Sequence, residues 1–204
     1  MKRVFDKIII TGLCLAPCAL LTGELLTSRL GANPVEKMLH VMGDWALNLL
    51  LVTLAITPLV RLTGWTRLQS LRRLLGLFAA FYALLHVCVY VGLDKAFLWT
   101  EILNDIGRHK RILFGAAAFV MMLLLAATSS DGMVRLLNGR RWKGLHRLVY
   151  VSALFGVIHY LLLVKKDLRT PLGYAAAYLF LMSFRAIDLL RKRYALVPTG
   201  DNRT

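Results

Sequence analysis

Cysteine is scarce in this 204-residue chain: Cys14, Cys18 and Cys88 all lie in apolar runs, and no CxxC or CxxCH occurs. That removes a zinc ribbon and covalent haem attachment. Cys14 and Cys18, one helical turn apart, read as small packing residues. Acids are scarce too, 11 against 26 Lys and Arg, for a net charge of +15. Within the apolar runs they are sparse, with Glu24 and Asp44 near the outer ends of the first two. No nucleophilic or proton-abstracting constellation is present, and neither is a glycine-rich phosphate loop, an internal repeat or a low-complexity stretch. The surplus of base does not signal nucleic acid, because it occupies short connectors between apolar blocks and no soluble domain remains to carry it. Short basic connectors are what cytoplasmic membrane loops look like.

What the chain has is hydrophobe: 58% of residues, with a mean hydropathy of +0.62. Crossing ~30 Å of hydrocarbon takes ~20 residues per helix. Six segments qualify, at about 8–26, 41–60, 74–93, 112–128, 148–164 and 172–190. The expected fold is all-α, a single six-helix polytopic membrane bundle with short loops and a basic tail at 191–204. The first span resembles a signal peptide but has no Ala-x-Ala cleavage site, so it is expected to stay. Pro17 falls mid-span and predicts a kink, while Pro58 and Pro171 fall near helix ends. Arg185 and Asp188, three apart in the last span, are placed to pair or to snorkel. With the N-terminus inside, 17 of the 26 basic residues face inward, so both termini are expected in the cytoplasm.

Two histidines sit deep in separate spans, His86 in LLGLFAAFYALLHVCVYVGL and His159 in LVYVSALFGVIHYLLLV. A titratable side chain in hydrocarbon is costly and marks a functional position. His86 lies twelve residues beyond Leu74 and His159 eleven beyond Leu148, so both lie about 17 Å from the inner edge. Matched depth on two helices is what one porphyrin clamped between neutral imidazoles requires. Ser152, Phe155 and Gly156 share the face of His159, and Ala79, Tyr82 and Ala83 that of His86. Small residues there make room for a ring, or simply let helices approach closely. A haem-free proton relay through the two histidines is the rival from another class.

The other three histidines are less constrained. His146, at the inner interface, lies thirteen residues before His159, about 20 Å along the axis. That suits a second, inner haem, but the two side chains diverge around an ideal helix. The third helix offers Arg72 and Arg73 at the matching depth, with no His. His146 is therefore open between a second haem, a flavin or quinone contact, and a plain interfacial position. His40 opens the second helix on the outer side, open between a quinol or haem-edge contact and no role. His109 is expected in solvent. Arg108, Lys110, Arg111, Lys165, Lys166 and Arg169 make the outer rim basic, suited to haem propionates or an acidic partner.

The stretches LGANPVEKMLHVMGDWALNLLLVTLAITPL, RRLLGLFAAFYALLHVCVY, ILFGAAAFVMMLLLAATSS and RRWKGLHRLVYVSALFGVIHYLLLVKK together cover about residues 30–166. In order and spacing they resemble the MsrQ (YedZ) family, the haem-binding membrane subunits of bacterial periplasmic methionine-sulfoxide reductase systems. Such a subunit looks like a ferric-reductase transmembrane domain without its soluble dehydrogenase. The resemblance implies that His86, His146 and His159 are the haem-associated histidines. It also implies b-type haem, one or two, FMN, and an inner-membrane location. Electrons would come from the quinone pool or a cytosolic flavin reductase and pass to a periplasmic molybdopterin enzyme that repairs oxidised envelope proteins. Oxidase relatives carry two His on each of two helices, whereas the third helix here has one, which leaves the partner of His146 open. If FMN binds, the basic inner loops with Arg72, Arg73, Arg140, Arg141 and Lys143 are where its phosphate is expected, with Trp142 as a stacking or interfacial residue. A ferric or cupric reductase of the same architecture is the alternative within this class.

Overall fold

The computed structural model describes residues 2–164 and 166–194; Lys165 of the expected basic rim and most of the expected basic tail lie outside them. Among the described residues there is no strand. Nine α-helices occur among the described residues: α1 (Lys2–Leu26), α2 (Pro34–Thr63), α3 (Arg72–Val89), α4 (Trp99–Arg108), α5 (Lys110–Ala127), α6 (Asp131–Leu136), α7 (Gly139–Leu145), α8 (Leu148–Leu163) and α9 (Arg169–Tyr194). Six helical stretches are long and apolar enough to cross a membrane, matching the six expected spans in order. Helices satisfy their own backbone groups, which hydrocarbon demands. The large exposed side chains, such as Leu20, Leu179 and Phe180, are the surface a bilayer would cover.

Alternation of the spans sorts the connectors into two ends. The basic end holds the start of α1, the 3-10 turn Thr66–Leu71 between α2 and α3, the short helices α6 and α7, and the end of α9. The opposite end holds the α1–α2 link, a π-helical turn at Tyr90–Asp94, α4, and the α8–α9 link. The helices α4, α6 and α7 fall in stretches expected as connectors.

The central element is α2. Asn33 caps it, accepting from the Glu36 amide at 3.3 Å while Pro34 fills the first position. Gly64, at φ 72°, ends it by donating to the Val60 carbonyl. The helix is longer than the 41–60 expected, so Pro58 lies inside it. Leu47, Leu50, Leu54 and Ile56 are buried in the core. α2 packs along α3, and α5 packs along α8; α1, α8 and α9 complete the contacts of α2.

Pro17 lies inside α1, where proline removes one ladder donor. At this point the Tyr82 hydroxyl enters the helix, donating to the Cys14 carbonyl at 2.6 Å and accepting from the Cys18 amide at 3.2 Å. Tyr82, four residues before His86 on the same helix, thus turns its hydroxyl to a helical gap in α1 at the proline rather than making room for a ring.

Candidate functional site

His86, near the end of α3, places its Nδ1 2.9 Å from the backbone carbonyl of Leu39 in α2. His159, in α8, places its Nδ1 2.6 Å from the carbonyl of Arg111 in α5. A carbonyl can only accept, so Nδ1 carries the proton in both rings and Nε2 keeps its lone pair. The same local device serves both. Four residues after each carbonyl stands a glycine, Gly43 in LHVMG and Gly115 in RILFG. A Cβ on Gly43 would sit 3.2 Å from His86 Nδ1, and one on Gly115 only 2.7 Å from His159 Nδ1. The missing side chains are what let each ring lie against the neighbouring helix.

The two ring centres stand 6.2 Å apart, with the ring planes at 86°. A metal held ~2.0 Å from each of two imidazole nitrogens, with ring centres ~1.1 Å behind those nitrogens, requires ~6.2 Å between centres. Both rings line one cavity of about 530 Å³. Its walls include Leu47, Leu50, Ala83, Phe119, Gly156 and Met122, so the cavity is largely apolar. Ser152 and Gly156 lie on the cavity face as expected, with the Ser152 hydroxyl donating to the Ala118 carbonyl at 3.1 Å. Phe155 instead stacks edge-on against Phe114, centres 5.1 Å apart.

Charged groups gather at the cavity's rim. Arg111 lines it, and its buried Nε has no hydrogen-bond partner. Lys95 bonds Asp105 at 2.8 Å, Tyr90 donates to the same carboxylate at 3.0 Å, and His109 stands 3.4 Å from its other oxygen. The expected solvent position of His109 thus includes an acid neighbour. The ammonium beside it holds the Asp105 carboxyl below the usual carboxylate range, and Asp105 in turn raises Lys95. His40 is exposed at the rim, 3.8 Å from Glu36. Asp44 lies against Tyr160, and both line the cavity. Glu24 pairs with Lys37 at 2.8 Å, outside it.

The basic end is separate. His146 caps α7, and the turn at His146–Arg147 breaks the helical phase between it and His159. Its ring stacks on Trp142 with centres 4.0 Å apart, and its Nε2 lies 3.2 Å from the Thr128 hydroxyl. No second imidazole stands beside it among the described residues. Arg73 pairs with Asp131 at 2.6 Å, Arg72 is half-buried at the start of α3, and Arg140 and Arg141 are exposed on α7.

Sequence reasoning finds the two deep histidines but misses Gly43, Gly115, the two carbonyls and the Lys95–Asp105 pair. The usable signal was the glycine recurring 43 residues before His86 and 44 before His159.

Comparison with known proteins identifies the family. Residues 42–157 match the family described as ferric reductase like transmembrane component. A protein of Rhodospirillum rubrum named protein-methionine-sulfoxide reductase heme-binding subunit MsrQ is 44% identical over 180 residues, 88% of this chain and 86% of its own length. Proteins of the same name from Herminiimonas arsenicoxydans (45%, covering 88% and 84%) and Caulobacter vibrioides (44%, covering 84% and 82%) are equally similar. On its sequence, its six spans and the breadth of these matches, this chain belongs to the MsrQ family.

Proposed function

We propose that the chain is a membrane electron-transfer subunit of a methionine-sulfoxide reductase system, with His86 and His159 as axial ligands of one b-type haem between α3 and α8. The observation that carries this reading is the 6.2 Å separation of two imidazoles that line one apolar cavity. The relatives' shared name, a heme-binding subunit, supports it. Lack of CxxCH makes the attachment non-covalent. When bound, the haem supplies one-electron chemistry through its iron.

The chain's own residues do the rest. Leu39 and Arg111 fix the tautomer of each imidazole and raise its basicity through the Nδ1–H bond. Gly43 and Gly115 admit the rings. Arg111, with its unpartnered buried donor, and Lys95 offer positive charge at the rim, where propionates would need it. The apolar walls keep water from the centre.

The basic end faces the cytoplasm of an inner-membrane protein in this reading. A periplasmic molybdopterin methionine-sulfoxide reductase takes the electrons at the opposite end, and the quinone pool or a cytosolic flavin reductase supplies them. His40 and Asp44, at the cavity rim, are placed for a quinol contact. His146, stacked on Trp142, is the position for a second haem or for FMN, whose phosphate would meet Arg72, Arg73, Arg140 and Arg141.

The test is the reduced-minus-oxidised spectrum of the purified protein with haem quantified per chain. His86→Ala and His159→Ala each lose most of the haem absorbance and electron delivery, and His109→Ala loses neither. Full haem content in both deep variants would overturn the ligand assignment, and a colourless folded wild type would favour a proton relay.

A further inference from the structure

Helix α4, WTEILNDIGR, joins the third span to α5 at the end opposite the basic one, and it carries three kinds of surface. Ile102, Asp105 and Ile106 line the cavity. Thr100, Asn104 and Arg108 are exposed and, at ~100° per residue, fall on the far side of the helix from the two isoleucines. Between these flanks lie Trp99 and Leu103, one turn apart and 62% and 67% exposed. Phe97 and Leu98, just before the helix, are more than half exposed as well. Four large apolar side chains close together in the chain are thus left uncovered by the protein, and such a surface marks a contact.

The neighbouring spans set the depth of this surface. α5 has 18 residues, ~27 Å of helix, close to the ~30 Å of hydrocarbon it must cross. None of that length is spare, so Lys110 stands at the membrane boundary, and α4, which ends at Arg108, is held at the same level. Ten residues are too few for α4 to cross. Leu93, at the end of the third span, and Leu113, in the first turn of α5, are each at least half exposed. The α4 surface therefore continues, on both sides along the chain, the surface that the bilayer covers. A soluble partner would leave Trp99 and Leu103 in water whenever it departed, whereas the bilayer is always present. Tryptophan is enriched at this boundary, and a helix with one apolar and one polar flank lies in it.

We propose that α4 is an interfacial helix whose partner is the lipid surface of the leaflet opposite the basic end. Trp99 and Leu103, with Phe97 and Leu98, enter the edge of the acyl region, and Thr100, Asn104 and Arg108 face water. Lipid then backs the wall of the cavity: the flank of α4 that meets the bilayer adjoins the flank that closes the cavity with Ile102, Asp105 and Ile106. This assignment does not rest on the haem reading.

The experiment uses the full chain, one copy per lipid nanodisc, as Trp99→Cys, Thr100→Cys, Leu103→Cys and Asn104→Cys. Each is labelled with a water-soluble, membrane-impermeant maleimide, and labelling of the unmutated protein, from Cys14, Cys18 and Cys88, is subtracted. Positions 100 and 104 are expected to react about tenfold faster than 99 and 103, because a thiol at the acyl edge is both shielded and poorer in thiolate. In denaturant all four react alike. Equal rates in the nanodisc would overturn the proposal. So would protection of 99 and 103 that appears only with two copies per disc or on adding a soluble reductase partner, since the occupant is then protein. Should Trp99→Cys fail to fold, the pair at 103 and 104 carries the same test. Haem content, read separately from the spectrum of each variant, keeps failure of the haem assignment distinguishable from failure of this one.

Discussion

A Cβ on Gly115 would stand 2.7 Å from His159 Nδ1, closer than real Cβ contacts come, whereas one on Gly43 would stand 3.2 Å from His86 Nδ1. The first leaves no room unless the ring or α5 moves; the second asks for a few tenths of an ångström. Gly115→Ala is therefore expected to weaken haem retention by about 10–100-fold, the range for disturbing the groups that orient a metal-bound histidine, and Gly43→Ala by less. Haem-to-protein ratios of the purified variants check the order, and equal retention in both would contradict it. The two histidines were legible in the sequence because helical rise converts residue number to depth. The glycines were not, because which side chain a glycine makes room for depends on the register between two helices. Tyr82 shows the same boundary: its spacing from His86 suggested the cavity, yet the need of α1 at Pro17 holds its hydroxyl elsewhere.

At the scale of elements, α4 is where sequence reading fell short. Its ten residues are too few to span and too mixed for a hydropathy run, with Glu101, Asp105 and Arg108 among Trp99, Ile102 and Leu103. Structure explains the mixture. Ile102, Asp105 and Ile106 line the cavity, while Trp99 and Leu103 are exposed. The approach requires Ala96 and Phe97 in left-handed backbone, at φ 47° and 60°, and Phe97 packs over Gly92 of the π-helical turn. Asp105 fastens the helix to Lys95 and Tyr90. Because the carboxyl is held below its ordinary value, its contribution is present above ~pH 4 and is lost as pH falls through the lowered value. Lys95, raised, contributes below ~pH 10 and is lost as pH rises through the raised value. Asp105→Asn is expected to speed amide exchange across 99–108 at neutral pH while leaving α5 and α8 unchanged. Unaltered exchange in that segment would show that the ion pair does not hold α4 down. The pair is partly exposed, so its effect on global stability is small.

For the whole molecule, the count and order of spans followed from composition alone, since hydrocarbon thickness fixes helix length. What composition could not supply is the pairing: α2 with α3 and α5 with α8, each pair offering one histidine hydrogen-bonded to its partner helix, the two rings meeting across the cavity. Span boundaries moved as well: α2 extends past its apolar window between the Asn33 and Gly64 caps, and α9 runs Arg169–Tyr194. The central claim is that one haem sits between His86 and His159, and the 86° angle between their planes gives it a spectroscopic signature. The most direct measurement is low-temperature electron paramagnetic resonance of the oxidised protein, as wild type and as His86→Ala and His159→Ala. The account predicts a highly anisotropic low-spin ferric signal, as crossed imidazole planes produce, that disappears in both variants. A wild-type spectrum without low-spin ferric haem, or the same signal surviving loss of either histidine, would contradict it.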